Sequence, residues 1–182
     1  MIGVVLAGGA SRRMGERDKV LEDVGGETLL ARAVRRLGEQ VDRVVVSGPV
    51  ELADHCDATV VPDGIAGRAG PLAGVLAALD AIDAPALVTA AVDTPFFPFD
   101  LVERLAGDGI AIARSHGRLH PVFACWPAAV REPLRRFLEA GDRKIMLFAE
   151  AHGYRAVDFD NDFFNVNTPD ELAEARSRIG RS

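Results

Sequence analysis

Lysine is nearly missing from this chain of 182 residues: of its 21 basic residues only Lys19 and Lys144 are lysine, and the other 19 are arginine. Arginine serves almost every surface charge, so a retained lysine marks a place that suits a compact, mobile ammonium rather than a planar fork. Cysteine is equally scarce. Cys56 and Cys125 have neither the spacing of a zinc site nor that of a redox pair, which reads as two inert thiols. No apolar run reaches membrane-spanning length. The stretch Met1-Ile2-Gly3-Val4-Val5 is too short for a signal sequence and has no basic region before it. A cytoplasmic protein without a membrane partner is expected. The net charge of -6, with a pI near 5.2, argues against nucleic acid as the main partner. A small anionic substrate stays open, because a few local cations suffice to bind one.

No repeat, low-complexity tract or linker-like shift divides the chain, and its length suits one domain over residues 1–182. Apolar runs alternate with helical patterns throughout. Strands are predicted at 2–6, 41–46, 58–61, 86–92, 109–114, 120–126 (parallel or antiparallel), 154–159 and 163–166. Helical spacing covers 28–37, a segment opening at Pro71, 100–105 and 127–140. Thr168-Pro169-Asp170-Glu171 has the form of a capping box and opens a last helix. Such alternation implies an α/β domain with a mainly parallel sheet. Ligands of such sheets bind at the carboxyl ends of the strands, so the residues just after the apolar runs carry the information.

The first such segment runs Leu6-Ala7-Gly8-Gly9-Ala10-Ser11-Arg12-Arg13-Met14-Gly15-Glu16-Arg17-Asp18-Lys19. Gly8 and Gly9 permit close backbone approach to a ligand, and consecutive free amides there form an anion-binding concavity. Arg12, Arg13, Arg17 and Lys19 add four cations. Neither the dinucleotide fingerprint nor the P-loop fits, since Gly8-Gly9-Ala10 breaks the first and Gly15-Glu16 the second. Taken alone, the segment reads as a triphosphate cradle or as a glycine turn with a solvated basic rim.

Asp93 follows the apolar run 86–92. A carboxylate there suits Mg²⁺, which takes one or two carboxylates plus substrate phosphates; an aspartate capping the next turn fits the same position. Asp63 precedes a glycine-rich stretch ending in Gly70-Pro71-Leu72-Ala73-Gly74. All three asparagines lie between residues 161 and 167. On strand-like backbone Asn165 and Asn167 face one side, where their amides could read a heterocycle or a phosphate; they also fit as turn residues before a helix cap. No nucleophile elbow or Ser-His-Asp arrangement is visible.

The pattern L-A-G-G-x-S-x-R-M-G-x-x-D-K, with G-P-L-A-G and N-V-N-T-P-x-E-L, resembles the molybdenum cofactor guanylyltransferases (MobA-type) among the pyrophosphorylase-like nucleotidyltransferases. The resemblance covers residues 2 to about 175. It implies a single-domain, Rossmann-like three-layer sandwich, nucleotide-diphospho-sugar transferase-like. It also implies transfer of GMP from GTP to the terminal phosphate of molybdopterin, with Mg²⁺ as cofactor and pyrophosphate as product. Leu6, Ala7, Gly8 and Gly9 would contact the nucleotide, Arg13 and Lys19 its phosphates, and Asp63 the nucleotide again. Asp93 would hold the metal and the nucleotide. Lys144, within Gly141-Asp142-Arg143-Lys144, and the pair Asn165 and Asn167 would take the pterin. The N-terminal part is thus expected to bind GTP and the C-terminal third molybdopterin, with delivery or acceptor proteins of the cofactor as further partners. Two departures stand out: Ala91-Val92 replaces the Pro-Cys that relatives place before this aspartate, and Ser47 stands where some have asparagine. His120-Pro121 also matches and reads as a turn histidine without a catalytic duty. A CTP-using enzyme of the same scaffold, one acting on a sugar or polyol phosphate, and a non-catalytic pterin or nucleotide carrier are the competing readings.

Overall fold

The computed structural model describes residues 1–8, 19–62 and 70–179. One seven-stranded sheet organises them: β1 (Ile2–Leu6), β2 (Arg43–Ser47), β3 (Thr59–Val61), β4 (Ala86–Ala91), β5 (Ile110–Ser115), β6 (Arg118–Pro127) and β7 (Tyr154–Phe159), in the order β3-β2-β1-β4-β6-β5-β7. Only β6 runs antiparallel to its neighbours, as its position between β4 and β5 requires: a short turn at His116-Gly117 joins it directly to β5, with Gly117 at φ 76°.

Among the described residues, five α-helices cover the two faces and a sixth packs at the side. On one face α1 (Leu29–Gly38) and α3 (Leu101–Leu105) bury Leu30, Ala33, Leu37, Leu101 and Leu105 against the sheet. On the other, α2 (Pro71–Ala81), α4 (Arg131–Glu139) and α5 (Ile145–His152) bury Leu72, Leu76, Leu134, Leu138 and Phe148. The last helix, α6 (Pro169–Ile179), sets Leu172 and Ala175 against Val24, Leu29 and Val166. That contact ties the end of the chain to the segment before α1. Thr28 caps α1 by accepting from the Ala31 amide at 3.0 Å. The capping box at α6 forms as its residues imply. Glu171 Oε2 accepts from the Asn167 and Thr168 amides at 2.7 and 2.8 Å, while its own amide donates to Thr168 Oγ1 at 3.2 Å.

Two expectations need correction. Residues 163–166 form no strand: β7 is the outer strand of the sheet, and the Val166 amide donates instead to the Asp93 carbonyl at 2.8 Å. The helical pattern of 127–140 divides into a 3-10 turn at 128–130 and α4 from Arg131.

The sheet buries one polar pair between β4 and β6. Trp126 Nε1 donates to Thr89 Oγ1 at 3.1 Å, and Thr89 passes its own proton to the Ala124 carbonyl at 3.3 Å. Both side chains are fully buried. Thr89→Val keeps the shape but strands the indole N–H, so it should destabilise the protein by about 1–3 kcal/mol. Urea melts should show this loss for valine and recover most of it for Thr89→Ser.

Candidate functional site

The three parallel strands β2, β1 and β4 end level with one another, because Leu6 pairs with Ser47 on one side and Ala91 on the other. Beyond them lies a cavity of about 240 Å³, lined by Leu6, Ala7, Gly8, Lys19, Val20, Pro71, Ala91, Val92, Asp93, Val122, Asn165 and Asn167. This is the carboxyl end of the sheet, where the crossover connections of an α/β fold leave a crevice. The antiparallel strand helps to open it. Ile112 pairs with Ala124 and Ala113 with His120, so residues 121–123 bulge out of the ladder and Val122 reaches the cavity.

Helix α2 starts at the rim with Pro71, which presents the positive end of the helix dipole to the cavity. The glycines of Gly70-Pro71-Leu72-Ala73-Gly74 have distinct reasons. Gly70 sits at φ 141°, a conformation closed to other residues at low strain. A Cβ on Gly74 would lie 2.5 Å from Ser47 Oγ and 3.0 Å from Leu6, so only glycine lets α2 pack this close to the strand ends.

Lys19 is the centre of the site. It is 8% exposed, and its Nζ donates to Asp93 Oδ2 at 3.0 Å and to Asn167 Oδ1 at 2.7 Å. An ammonium carries three donors. Among the described residues two of the three are taken. Asp93 occupies the turn after β4, with its side chain 29% exposed. Among the described residues its carboxylate meets Lys19 and Thr94 Oγ1, the latter at a long 3.4 Å, and caps no turn. Thr94 is fully buried and donates to Asn165 Oδ1 at 2.6 Å. Lys19, Asp93, Thr94, Asn165 and Asn167 therefore form one connected polar network.

Of the residues expected to form the site, Leu6, Ala7, Gly8, Lys19, Asp93, Asn165 and Asn167 share this cavity. Gly9, Arg13 and Asp63 lie outside the described residues. Lys144 does not line the cavity; it is exposed at the N-cap of α5. The amides of Ala7 and Gly8 are not free, since both donate to the Ser47 carbonyl, at 2.8 and 3.1 Å. These two amides hold the loop to β2 rather than presenting donors to an anion. His120 stands on β6 and not in a turn. Its Nε2 is 3.0 Å from Ser115 Oγ, its ring stacks on Phe163 at 4.5 Å, and burial pushes its pKa down. Cys125 is a buried free thiol with its pKa raised by burial, in keeping with an inert role. Thr94 and Val122 escaped notice in the sequence, although Thr94 follows Asp93 directly and its neighbourhood was the available signal.

Among the described residues no helix is long and apolar enough to cross a membrane. Residues 3–155 match the model of the MobA-like NTP transferase domain. A molybdenum cofactor guanylyltransferase of Mesorhizobium japonicum is 42% identical over 193 residues, covering 95% of this chain and 93% of the relative. One from Cereibacter sphaeroides is 43% identical over 187 residues, covering 98% and 97%. Among solved structures, molybdopterin-guanine dinucleotide biosynthesis protein A from Archaeoglobus fulgidus superposes with a TM-score of 0.83 at 26% identity, covering 100% of both chains. The fold is that of the nucleotide-diphospho-sugar transferase group. With the match spanning most of the chain and the strand-end cavity holding Leu6, Ala7, Gly8, Lys19, Asn165 and Asn167 of the motifs that carried the resemblance, this protein belongs to the MobA-like NTP transferase family.

Proposed function

We propose that this chain transfers GMP from GTP to the terminal phosphate of molybdopterin in the cytoplasm, forming the guanine dinucleotide cofactor and pyrophosphate. Relatives at 42% and 43% identity that bear the name molybdenum cofactor guanylyltransferase support this reading. The observation that carries it is Lys19, whose buried ammonium joins Asp93, at the end of β4, to Asn167, from the C-terminal third. A two-substrate transfer needs its parts to meet in one cavity in this way.

The nucleophile is a phosphate oxygen of the acceptor, which attacks the α-phosphorus of GTP. A new P–O–P bond forms, the bond to the β-phosphate oxygen breaks, and pyrophosphate leaves with the electron pair. No protein nucleophile is needed, so the protein contributes position and charge. Lys19, with Arg13 from the signature loop, neutralises the charge that builds on the α-phosphate and the leaving group. Leu6, Ala7, Gly8, Gly9 and Asp63 contact the nucleotide. Lys144, Asn165 and Asn167 take the pterin. The N-terminal part thus serves the donor and the C-terminal third the acceptor, within one domain over 1–182.

The residues present fit Mg²⁺. Among the described residues Lys19 holds Oδ2 of Asp93, and Oδ1 has only the long Thr94 contact. Among the described residues no group of three His, Cys, Asp or Glu could hold a metal ion. The remaining ligands would then be phosphate oxygens and water, which is the coordination Mg²⁺ favours. When bound, the ion would be held by Asp93 and would supply positive charge that offsets the charge of the phosphates. Delivery or acceptor proteins of the molybdenum cofactor are the macromolecular partners this reading implies.

Incubation with each nucleoside triphosphate and Mg²⁺, with and without molybdopterin, tests the proposal. Pyrophosphate should appear with GTP and only when molybdopterin is present. Release with CTP instead, or with a sugar or polyol phosphate as acceptor, would replace the guanylyl reading by another transferase. Binding without any turnover would point to a carrier.

A further inference from the structure

We propose that Thr94 is a positioning residue that turns the Asn165 amide so that its amino group, and not its carbonyl, faces the second substrate. The inference rests on the guanylyl-transfer reading for the identity of that substrate, and on geometry for everything else.

Thr94 has no exposed surface, and its hydroxyl lies 2.6 Å from Asn165 Oδ1. The competing acceptor, Asp93 Oδ1, is at 3.4 Å and is already part of an ion-paired carboxylate. The hydroxyl proton therefore goes to the asparagine. Thr94 itself is held, because its amide donates to the Ala91 carbonyl at 3.3 Å. The backbone next to Asn165 is held as well, by the bond from the Val166 amide to the Asp93 carbonyl at 2.8 Å. With both ends fixed, the side chain has one orientation that satisfies its carbonyl.

The neighbouring amide is oriented by the same principle and with less freedom. A lysine ammonium only donates, so the 2.7 Å contact from Lys19 Nζ assigns the carbonyl of Asn167 to Lys19. Both asparagines line the cavity, and both have their carbonyls engaged by donors from the protein. What they have left is two amino groups with four N–H donors. The two asparagines then present donors to the second substrate. These suit hydrogen-bond acceptors, such as phosphate or ring carbonyl oxygens of the pterin substrate.

The test exploits the shortage of side-chain amides. Asn161, Asn165, Asn167 and Gln40 are the only Asn and Gln residues of the chain, so a ¹⁵N-labelled sample shows four side-chain NH₂ pairs. Thr94→Val removes the hydroxyl at constant shape, and Thr94→Ser keeps it. In the valine variant the Asn165 pair should shift before any ligand is added. The KM for molybdopterin should rise about tenfold, the size expected for one lost hydrogen bond, with KM for GTP within twofold of wild type. Serine should restore both the signal and the KM. An unmoved Asn165 pair in Thr94→Val overturns the positioning role whether or not turnover is seen. An unchanged KM for molybdopterin, or an equal rise for GTP, overturns its link to the second substrate. Absence of turnover in the wild type itself counts against the guanylyl reading alone, because the spectral comparison still decides the orientation.

Discussion

Asp93→Ala should abolish turnover, with a fall of at least about 10³-fold in kcat, while the protein stays folded. The size follows from two losses at once: the carboxylate proposed to hold Mg²⁺, and the partner that fixes Lys19. A single preorganised electrostatic contact is worth about 10²–10³ in rate, and removal of a metal ligand adds to that. The fold should survive because little of it depends on this side chain. The side chain is 29% exposed, and the backbone bond that Asp93 makes to the Val166 amide does not involve it. Far-UV circular dichroism and the melting temperature should stay close to wild type. Asp93→Asn keeps an oxygen for Lys19 and removes only the charge, so it should restore the Lys19 contact without restoring turnover. Activity above a tenth of wild type in either variant would remove Asp93 from the reaction.

Lys19→Met is the second large effect: kcat should drop by about 10²–10³, equivalent to roughly 2.7–4 kcal/mol of barrier. Methionine keeps the length and burial and removes the charge and all three donors. Lys19→Arg should rescue little, although 19 other positions use arginine. The two oxygens that Lys19 reaches, on Asp93 and Asn167, are met by a point charge whose donors radiate from one atom. A planar guanidinium spreads its donors along a fork and does not reproduce that arrangement. The Lys19→Met and Asp93→Ala changes should also be strongly non-additive, since each removes the other's partner. A double variant no worse than the poorer single one is the expected cycle. Full additivity would mean that the two residues act separately.

The strand ends were the most legible part of the chain. Apolar runs closed by glycine or aspartate, at 2–6 and 86–92, read as strands, because strands buried on both faces show no polar alternation. The capping box at Thr168 and the helix start at Pro71 were legible for the same reason: they are local chemistry, settled within four residues. Residues 163–166 misled because a short apolar stretch looks like a strand whether or not a neighbour exists to pair with it. Here the outer position of β7 and the reach of the Asp93 carbonyl took the segment elsewhere.

The signature segment after β1 and the paired asparagines near the C-terminus were visible in the sequence as two motifs, assigned to two substrates. The sequence by itself singled out the candidate residues, because glycines, a rare lysine, an aspartate past a strand and clustered asparagines are choices of residue type. Only the tertiary structure decided that they are one site. Lys19 and Asn167 stand 148 positions apart and meet at 2.7 Å. That meeting depends on the parallel order β2-β1-β4, which levels the strand ends, and on α6 packing back against Val24 and Leu29. Neither is a property of any short stretch of chain. The physical reason is that burial of apolar faces sets where distant segments end up, and the polar contacts form only between groups that this packing has already brought together.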